Sequence, residues 1–440
     1  MTDTKSIFRI TYPIFFSLVA QNIINVTDTA FLGHVSEVAL GASAIGGVFY
    51  MAVYFVGFGF SQGVQILIGR RNGEKNYPEI GTIFNNSLAF NFFLATLIFI
   101  LSAAFMPRLL QLLVNSSNIY AASVDYLQYR IFGFFFSFLN VIFRAFFVGI
   151  TRTKVLTISG LITALVNVAL DYVLIFGKFG FPEWGIKGAA VASVVAEMVT
   201  SVYLVCVTRK HDKSNSFGLF RFNKFDWKTV RKVLDLSIFI MFQFFISTSI
   251  WFVFFIFIER MGERPLAVTN IARSLYVLLM IPGSALATTV STLVSNMIGA
   301  GEKDKVISLM YKTLKITIII ILPLMIMTFI YPEMIAKIYT NNPDLILASI
   351  PTLRVVSIAM VLCGVCNILF NTILGTGNTR IAFVFEIVTL FFYMIYVYYT
   401  AIILQSSVET VWMSEFVYWI LMGAMSYIYL LKGNWREKEI

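Results

Sequence analysis

Charge is scarce in this chain. Of 440 residues only 13% are Asp, Glu, Lys or Arg, and 58% are hydrophobic, whereas a soluble domain carries roughly a quarter of its residues as charge. So few charges cannot cover a water-facing surface for a chain of this length, which excludes a soluble globular fold. Cysteine is scarce too: Cys206, Cys363 and Cys366 all fall in apolar runs. Cys363 and Cys366 have CxxC spacing but no second pair or histidine cluster beside them, so they read as small helix residues, not a redox or metal site. The two histidines, His34 and His211, sit at expected loop positions and offer no histidine metal site. No GxxxxGK[ST] phosphate loop or HExxH occurs, so neither ATP hydrolysis nor zinc-dependent hydrolysis of that kind is expected. An enzyme is not expected, and any transport must draw on an ion gradient or run downhill. A cleavable leader is not expected either. The first apolar run, from Ile10 to about Gly33, is too long for a signal core and lacks an Ala-x-Ala-like end.

Long apolar runs are what the chain has in abundance. They read as spans at 10–33, 44–68, 83–106, 123–149, 155–176 and 186–208, then at 233–258, 267–299, 308–331, 347–374, 381–404 and 408–431. Each is long enough to cross a hydrocarbon core, and only a helix satisfies its own backbone there. The expected fold is an all-α integral membrane protein with twelve transmembrane helices in two six-helix bundles. Segments on the side of the amino terminus carry 23 basic residues, the opposite segments nine, and Arg144 lies within a span. This bias places both termini in the cytoplasm of a multi-pass cell-membrane protein. It also accounts for the net charge of +10 without any nucleic-acid partner. The polar stretch 209–232, with eight basic residues and the cluster Ser214-Asn215-Ser216, reads as a linker on the cytoplasmic membrane face. It separates an amino-terminal lobe, 1–208, from a carboxyl-terminal lobe, 233–440. Two short motifs recur in order. Ile68-Gly69 with Gly73-Glu74-Lys75 returns as Ile298-Gly299 with Gly301-Glu302-Lys303, and Gly149 to Lys154 returns as Gly375 to Arg380. A repeat of six spans keeps its orientation, so the lobes are expected to be related by a pseudo-two-fold axis along the membrane normal.

Ionisable groups at membrane depth are costly and mark function by default. Gln21, Asn25 and Asp28 are spaced i, i+4, i+7 on the first span; Asn167 and Asp171 are i, i+4 on the fifth; Ser193 and Glu197 are i, i+4 on the sixth. Each set shares one helix face. Two carboxylates meeting in low dielectric need a proton or a cation between them. Oxygens from Asp28, Asn167, Asp171 and Ser193 suit a hard ion such as Na⁺, and protonation of the same cluster suits H⁺ coupling. Glu386 and Glu415 lie in the last two spans without a polar stripe around them, and Arg144 is expected to snorkel or pair locally.

Thr27-Asp28-Thr-Ala-Phe-Leu-Gly33-His34 after Pro13, Asn167-Val-Ala-Leu-Asp171, and Gly185-Ile-Lys-Gly188-Ala-Ala-Val-Ala-Ser193 resemble the first, fifth and sixth helices of the multidrug and toxic compound extrusion (MATE) family. The resemblance covers the whole chain. It implies cation-coupled antiport of small organic, often cationic, compounds, with Na⁺ or H⁺ as the coupling ion and no other cofactor, by a protein that functions as a monomer in lipid. It also implies an amino-lobe cation site at Asp28, Asn167, Asp171 and Ser193, with Ser193 replacing a threonine. One branch of the family uses acids in helices 7 and 10. The seventh span here offers Gln243 and the tenth Asn367 and Asn371, which points to the DinF-like branch, where Glu197 also fits. Gln21, Asn25, Glu197, Gln243 and Asn367 are expected to line the cavity. The alternative is a flippase of lipid-linked oligosaccharides or related precursors. Such a cavity needs several cations for pyrophosphate, and nearly all the basic residues here sit at span ends.

Overall fold

A computed structural model describes residues 3–215, 217–222 and 225–438, without the side chains of 212–215. Lys213, Ser214, Asn215, Ser216 and Lys224 of the linker therefore lie outside the described residues or side chains. Among the described residues the chain is helical, with no strand. The helices are α1 (Thr4–Val35), α2 (Glu37–Gly73), α3 (Tyr77–Leu113), α4 (Ser117–Arg130), α5 (Gly133–Gly149), α6 (Lys154–Ile175), α7 (Ile186–Asn215), α8 (Trp227–Met261), α9 (Glu263–Gly299), α10 (Val306–Ile330), α11 (Pro332–Tyr339), α12 (Pro343–Thr376), α13 (Thr379–Tyr398), α14 (Val408–Trp412) and α15 (Ser414–Lys432). Among the described residues eleven helices are long and apolar enough to cross a membrane, counting α14 with α15 as one. A twelfth span is the pair α4 and α5, joined at a 52° bend. The expected fourth span, 123–149, is thus a broken one. His34 and His211 lie inside α1 and α7, not in loops, because both helices run past the apolar runs that suggested their ends.

Side-chain caps set where the helices begin. The hydroxyl of Ser36 accepts the N–H of Ala39 at 3.0 Å, and Asn342 accepts the N–H groups of Asp344 and Leu345, so the first amides of α2 and α12 are not left bare. At the far ends, left-handed residues stop the helices. Lys75 (φ 59°) and Thr151 (φ 59°) follow α2 and α5; Gly301 (φ 78°) and Gly377 (φ 87°) follow α9 and α12. Each member of the second pair lies 226 residues after its counterpart. The bonds match as well: Thr151 N–H reaches Val148 O at 2.9 Å and Gly377 N–H reaches Leu374 O at 2.9 Å. Helices α2 and α9 each hold 37 residues and start 226 apart. The repeat read from Gly73-Glu74-Lys75 and Gly301-Glu302-Lys303 is therefore two residues out of register, since Gly301 is the counterpart of Lys75. Glycine is favoured at left-handed positions, so matching glycine to glycine misaligned the turn.

The chain divides into two compact units, Tyr12–Met241, and Phe242–Ile440 with the segment through Thr11. In the first, α2 lies directly on the start of α8: a Cβ on Gly63 would collide with the hydroxyl of Ser237, with Val233 O only 3.0 Å away. The Ser237 hydroxyl uses that gap to donate to Phe60 O at 2.9 Å. The linker is tied to α3, where Asn85 takes the N–H of Phe220 at 2.7 Å and donates to Gly218 O at 2.9 Å, and Asn86 takes the N–H of Asp226 at 2.6 Å. The Thr229 hydroxyl, with the N–H groups of Lys228 and Thr229, holds the Asp226 carboxyl below its usual range. That cap is complete above about pH 4 and is lost only as pH falls below it. The second unit is centred on an aromatic cluster that includes Phe254, Tyr276, Tyr393, Trp412 and Trp419. Cys363 and Cys366 are buried there as free thiols, as small residues one turn apart on α12.

Candidate functional site

Within the unit Tyr12–Met241, three helices bring their polar faces together. Asp171 and Asn167 lie one turn apart on α6, fully buried, and Asn167 donates to the Ser193 hydroxyl of α7 at 3.3 Å. The carboxyl of Asp28, on α1, comes within hydrogen-bonding reach of Asp171. Two ionised carboxylates have no proton to share, and without one Asp28 Oδ1, both oxygens of Asp171 and Asn167 Oδ1 are buried with no hydrogen-bond partner. Four acceptor oxygens of this polar face are thus buried without a donor among the described residues. At a separation of about 4 Å and an effective dielectric of 20, two such charges repel by roughly 4 kcal/mol. A proton shared between the carboxyls, or a small hard cation among the oxygens, removes that repulsion and satisfies the acceptors.

The other members of the polar stripes go elsewhere. Gln21 and Asn25 are exposed. They continue the face of Asp28 along α1 without joining its cluster. Glu197, one turn past Ser193, enters a network that the sequence reading missed. Its carboxylate takes two bonds from the guanidinium of Arg130, at 2.7 and 3.0 Å, and one or two from Tyr50 OH at 3.0–3.1 Å. Arg130 lies 3.5 Å over the Tyr50 ring, and that ring stacks on Phe134 at 4.9 Å. Asn140 donates to Glu197 O at 3.1 Å and accepts from Ser201 at 2.8 Å. Arg130 is the last residue of α4, and it is buried. It is therefore not one of the outer-surface charges of the topology count, because the bend after α4 turns it inward. The available signals were an arginine inside the apolar run 123–149 and the glycine three residues on. A Cβ at Gly133 would strike Arg130, Glu197 and Tyr50.

In the other unit Gln243 is brought to an acid from α13: Glu386 receives bonds from Ser247 at 2.6 Å, Tyr418 at 2.8 Å and Gln243 at 3.5 Å. Glu415 receives Tyr276 OH at 2.9 Å and Trp419 Nε1 at 3.0 Å. Both carboxyls are buried among neutral donors. Gln243 and Ser247 lie one turn apart on α8 and Tyr418 and Trp419 on α15, so the acids and most of their donors come from separate stretches of the chain. Asn367 is not part of this group; it pairs with Asn371 and Cys363 on its own helix. Among the described residues no group of three or more His, Cys, Asp or Glu side chains comes together to hold a metal.

The MatE family model matches residues 13–173 and again residues 240–400, two copies starting 227 residues apart, within one residue of the offset between the helix ends. The chain is similar to the probable multidrug resistance protein NorM of Thermotoga maritima, at 23% identity across 99% of this chain and 94% of that one. It is also similar to the probable multidrug resistance protein YoeA of Bacillus subtilis, at 23% identity across 77% and 75%. Among solved structures, a mutant of the Vibrio cholerae MATE transporter VcmN superposes with a TM-score of 0.90 at 16% identity, covering 99% of this chain and 98% of that one. A transporter of the MOP superfamily from Pyrococcus furiosus, whose binding pocket is described as of reverse polarity, superposes at 0.88 with 18% identity over 98% and 94%.

Proposed function

The chain belongs to the MatE family of multi-pass membrane transporters, and from that premise we propose that it is a cation-coupled antiporter exporting organic, often cationic, compounds across the cell membrane. The observation that carries the coupling is the group of four buried acceptor oxygens on Asp28, Asp171 and Asn167, which have no donor among the described residues. Loading a proton or Na⁺ there removes an unfavourable charge pair from low dielectric. The free energy of the inward cation gradient is thereby available to drive a change of state. Asp28, Asn167, Asp171 and Ser193 hold the cation, and Gln21 and Asn25 continue the polar face along α1. The absence of an acid at Gln243 and Asn367 supports a DinF-like site, confined to the amino-terminal lobe. Both termini are cytoplasmic, and the monomer is the working unit. The flippase alternative is less well supported, because Arg130, the most buried cation of this site, is neutralised by Glu197 and so is not free to hold a pyrophosphate.

The test is efflux of a cationic dye by everted membrane vesicles with a Na⁺ gradient and a pH gradient imposed separately. Dye movement that follows at least one gradient supports antiport. Movement that ignores both, in vesicles that hold each gradient, contradicts it.

A further inference from the structure

Arg144 lies inside the fourth span, on α5, and is half-buried. Arg130 of the same span is forked onto Glu197, but Arg144 makes no ion pair or hydrogen bond among the described residues. Its contact is with the ring of Phe58 on α2, 5.3 Å from the guanidinium carbon to the ring centre. An aromatic ring attracts the charge without accepting a full hydrogen bond. The five N–H donors of the guanidinium are therefore left without an acceptor. Asn140, one turn before Arg144 on the same face of α5, donates to Glu197 O of α7 and accepts from Ser201. That face looks into the lobe, not out to lipid.

The register of α2 against α5 fixes the depth of this cation. A Cβ on Gly57 would strike the Phe138 ring, and a Cβ on Gly149 would strike Ile68. Both pairs are 81 residues apart, so the two helices run side by side in one direction and the backbone of Arg144 is level with Gly63. Its guanidinium sits at Phe58, five residues or roughly 7 Å nearer the start of both helices. Helical side chains lean that way. Phe58 falls two residues from the middle of the apolar run 44–68. The expectation that Arg144 snorkels or pairs locally is thus corrected: it turns from the nearer end of α5, at Gly149, toward the apolar middle. A bare cation at that depth is costly and marks function by default. Beside it lies an aromatic platform. Tyr54 stacks on Phe58 at 5.8 Å with the ring planes 22° apart, and Phe55 meets Phe58 edge-on at 6.4 Å. All three rings are half-buried, so each keeps free surface.

We propose that Arg144 is a substrate-binding residue that takes the carboxylate of an aromatic acid, whose ring lies against Tyr54, Phe55 and Phe58. The inference rests on the export reading above and names a class of cargo within it. The planar fork of a guanidinium matches a carboxylate through two parallel hydrogen bonds. One guanidinium cancels one negative charge, which suits a carboxylate and leaves a doubly charged phosphate only half neutralised. The ester of the same acid keeps the ring contacts and loses the charge, so acid and ester together isolate the contribution of Arg144.

The experiment measures the Kd of dansylglycine and of its methyl ester for the purified full-length protein, by equilibrium dialysis against protein-free micelles. Arg144→Gln is expected to raise the Kd of the acid by about tenfold, the loss of a charge-assisted pair of hydrogen bonds, and to leave the ester within about threefold. Arg144→Lys keeps the charge without the fork and is expected to raise the Kd of the acid by about threefold. If Arg144→Gln does not yield folded protein, competition on the unmodified protein decides. Naphthoate is then expected to displace dansylglycine at about a tenth of the concentration that methyl naphthoate needs. A selective loss of the acid supports the proposal. Equal losses of acid and ester, no change in either, equal displacement by naphthoate and its ester, or no binding of dansylglycine to the unmodified protein overturns it. Binding in detergent needs no ion gradient, so the two readings fail separately. The acid–ester contrast in a protein whose vesicles ignore both gradients keeps the Arg144 site and overturns antiport. Gradient-driven dye efflux without that contrast overturns the Arg144 site alone.

Discussion

A carboxyl group inside a helical lobe is informative through what it lacks. Asp171 is fully buried with both oxygens free of donors, whereas Glu415 is buried with a tyrosine hydroxyl and an indole N–H on its carboxyl. Asparagine at 171 is nearly isosteric but cannot take up or release a proton and weakens any bound cation. We expect Asp171→Asn to lower gradient-driven efflux by at least about tenfold with normal membrane levels. Glutamine at 415 still offers an oxygen to Tyr276 and Trp419, so Glu415→Gln is expected to change efflux by less than about threefold. Vesicle efflux normalised to protein content checks both, and equal losses in the two variants would contradict the distinction. The aspartates and Asn167 were legible in the sequence because a polar residue every fourth position stands out in an apolar run. Arg130 was not, since a basic residue near the end of a run looks like an interfacial anchor. Only the bend that follows it turns it inward. The Glu386 site was hidden for a different reason: Gln243 and Ser247 are one turn apart on α8, but the acid they meet is on α13 and Tyr418 on α15, and periodicity along one helix cannot report a partner on another.

At the level of the helix, close packing rests on particular glycines. Helix α2 reaches Ser237 of α8 only because Gly63 has no side chain, while a Cβ on Gly47 of the same helix would meet nothing within 4 Å. Gly63→Ala therefore pushes two helices apart. It is expected to cost about 1–3 kcal/mol, seen as a lower melting temperature in detergent. Gly47→Ala is expected to be neutral or slightly stabilising, since alanine favours the helix. Melting curves that do not separate the two variants would contradict the close contact. The spans themselves could be read from hydropathy because a bilayer admits few alternatives to a continuous helix. The break between α4 and α5 could not, because no proline or charge falls at Ile131 or Phe132, where the helix turns. The register of the repeat was also misread by two residues, because a left-handed turn is built on Lys75 in one half and on Gly301 in the other.

For the whole molecule, orientation follows from the distribution of basic residues. The turns after α5 and α12 are expected on the cytoplasmic side and the α6–α7 loop outside. In intact cells, cysteines introduced as Arg152→Cys and Arg380→Cys, both at exposed positions, should resist a membrane-impermeant maleimide. Phe179→Cys, at a residue 84% exposed, should react; the reverse pattern would overturn the topology. The family match, repeated at 13–173 and 240–400, makes the chain a transporter, and its two halves share one order of helices and turns. In the proposal above the aspartate pair couples that transporter to a gradient, and the most direct measurement is Asp28→Asn in everted vesicles. The change is nearly isosteric and removes one of the two carboxyls whose contact calls for a proton or cation. Dye efflux under a Na⁺ gradient and under a pH gradient should both fall to the level of vesicles lacking the protein, with expression unchanged. Efflux at the unmodified rate under the same gradients would contradict coupling through the amino-terminal lobe.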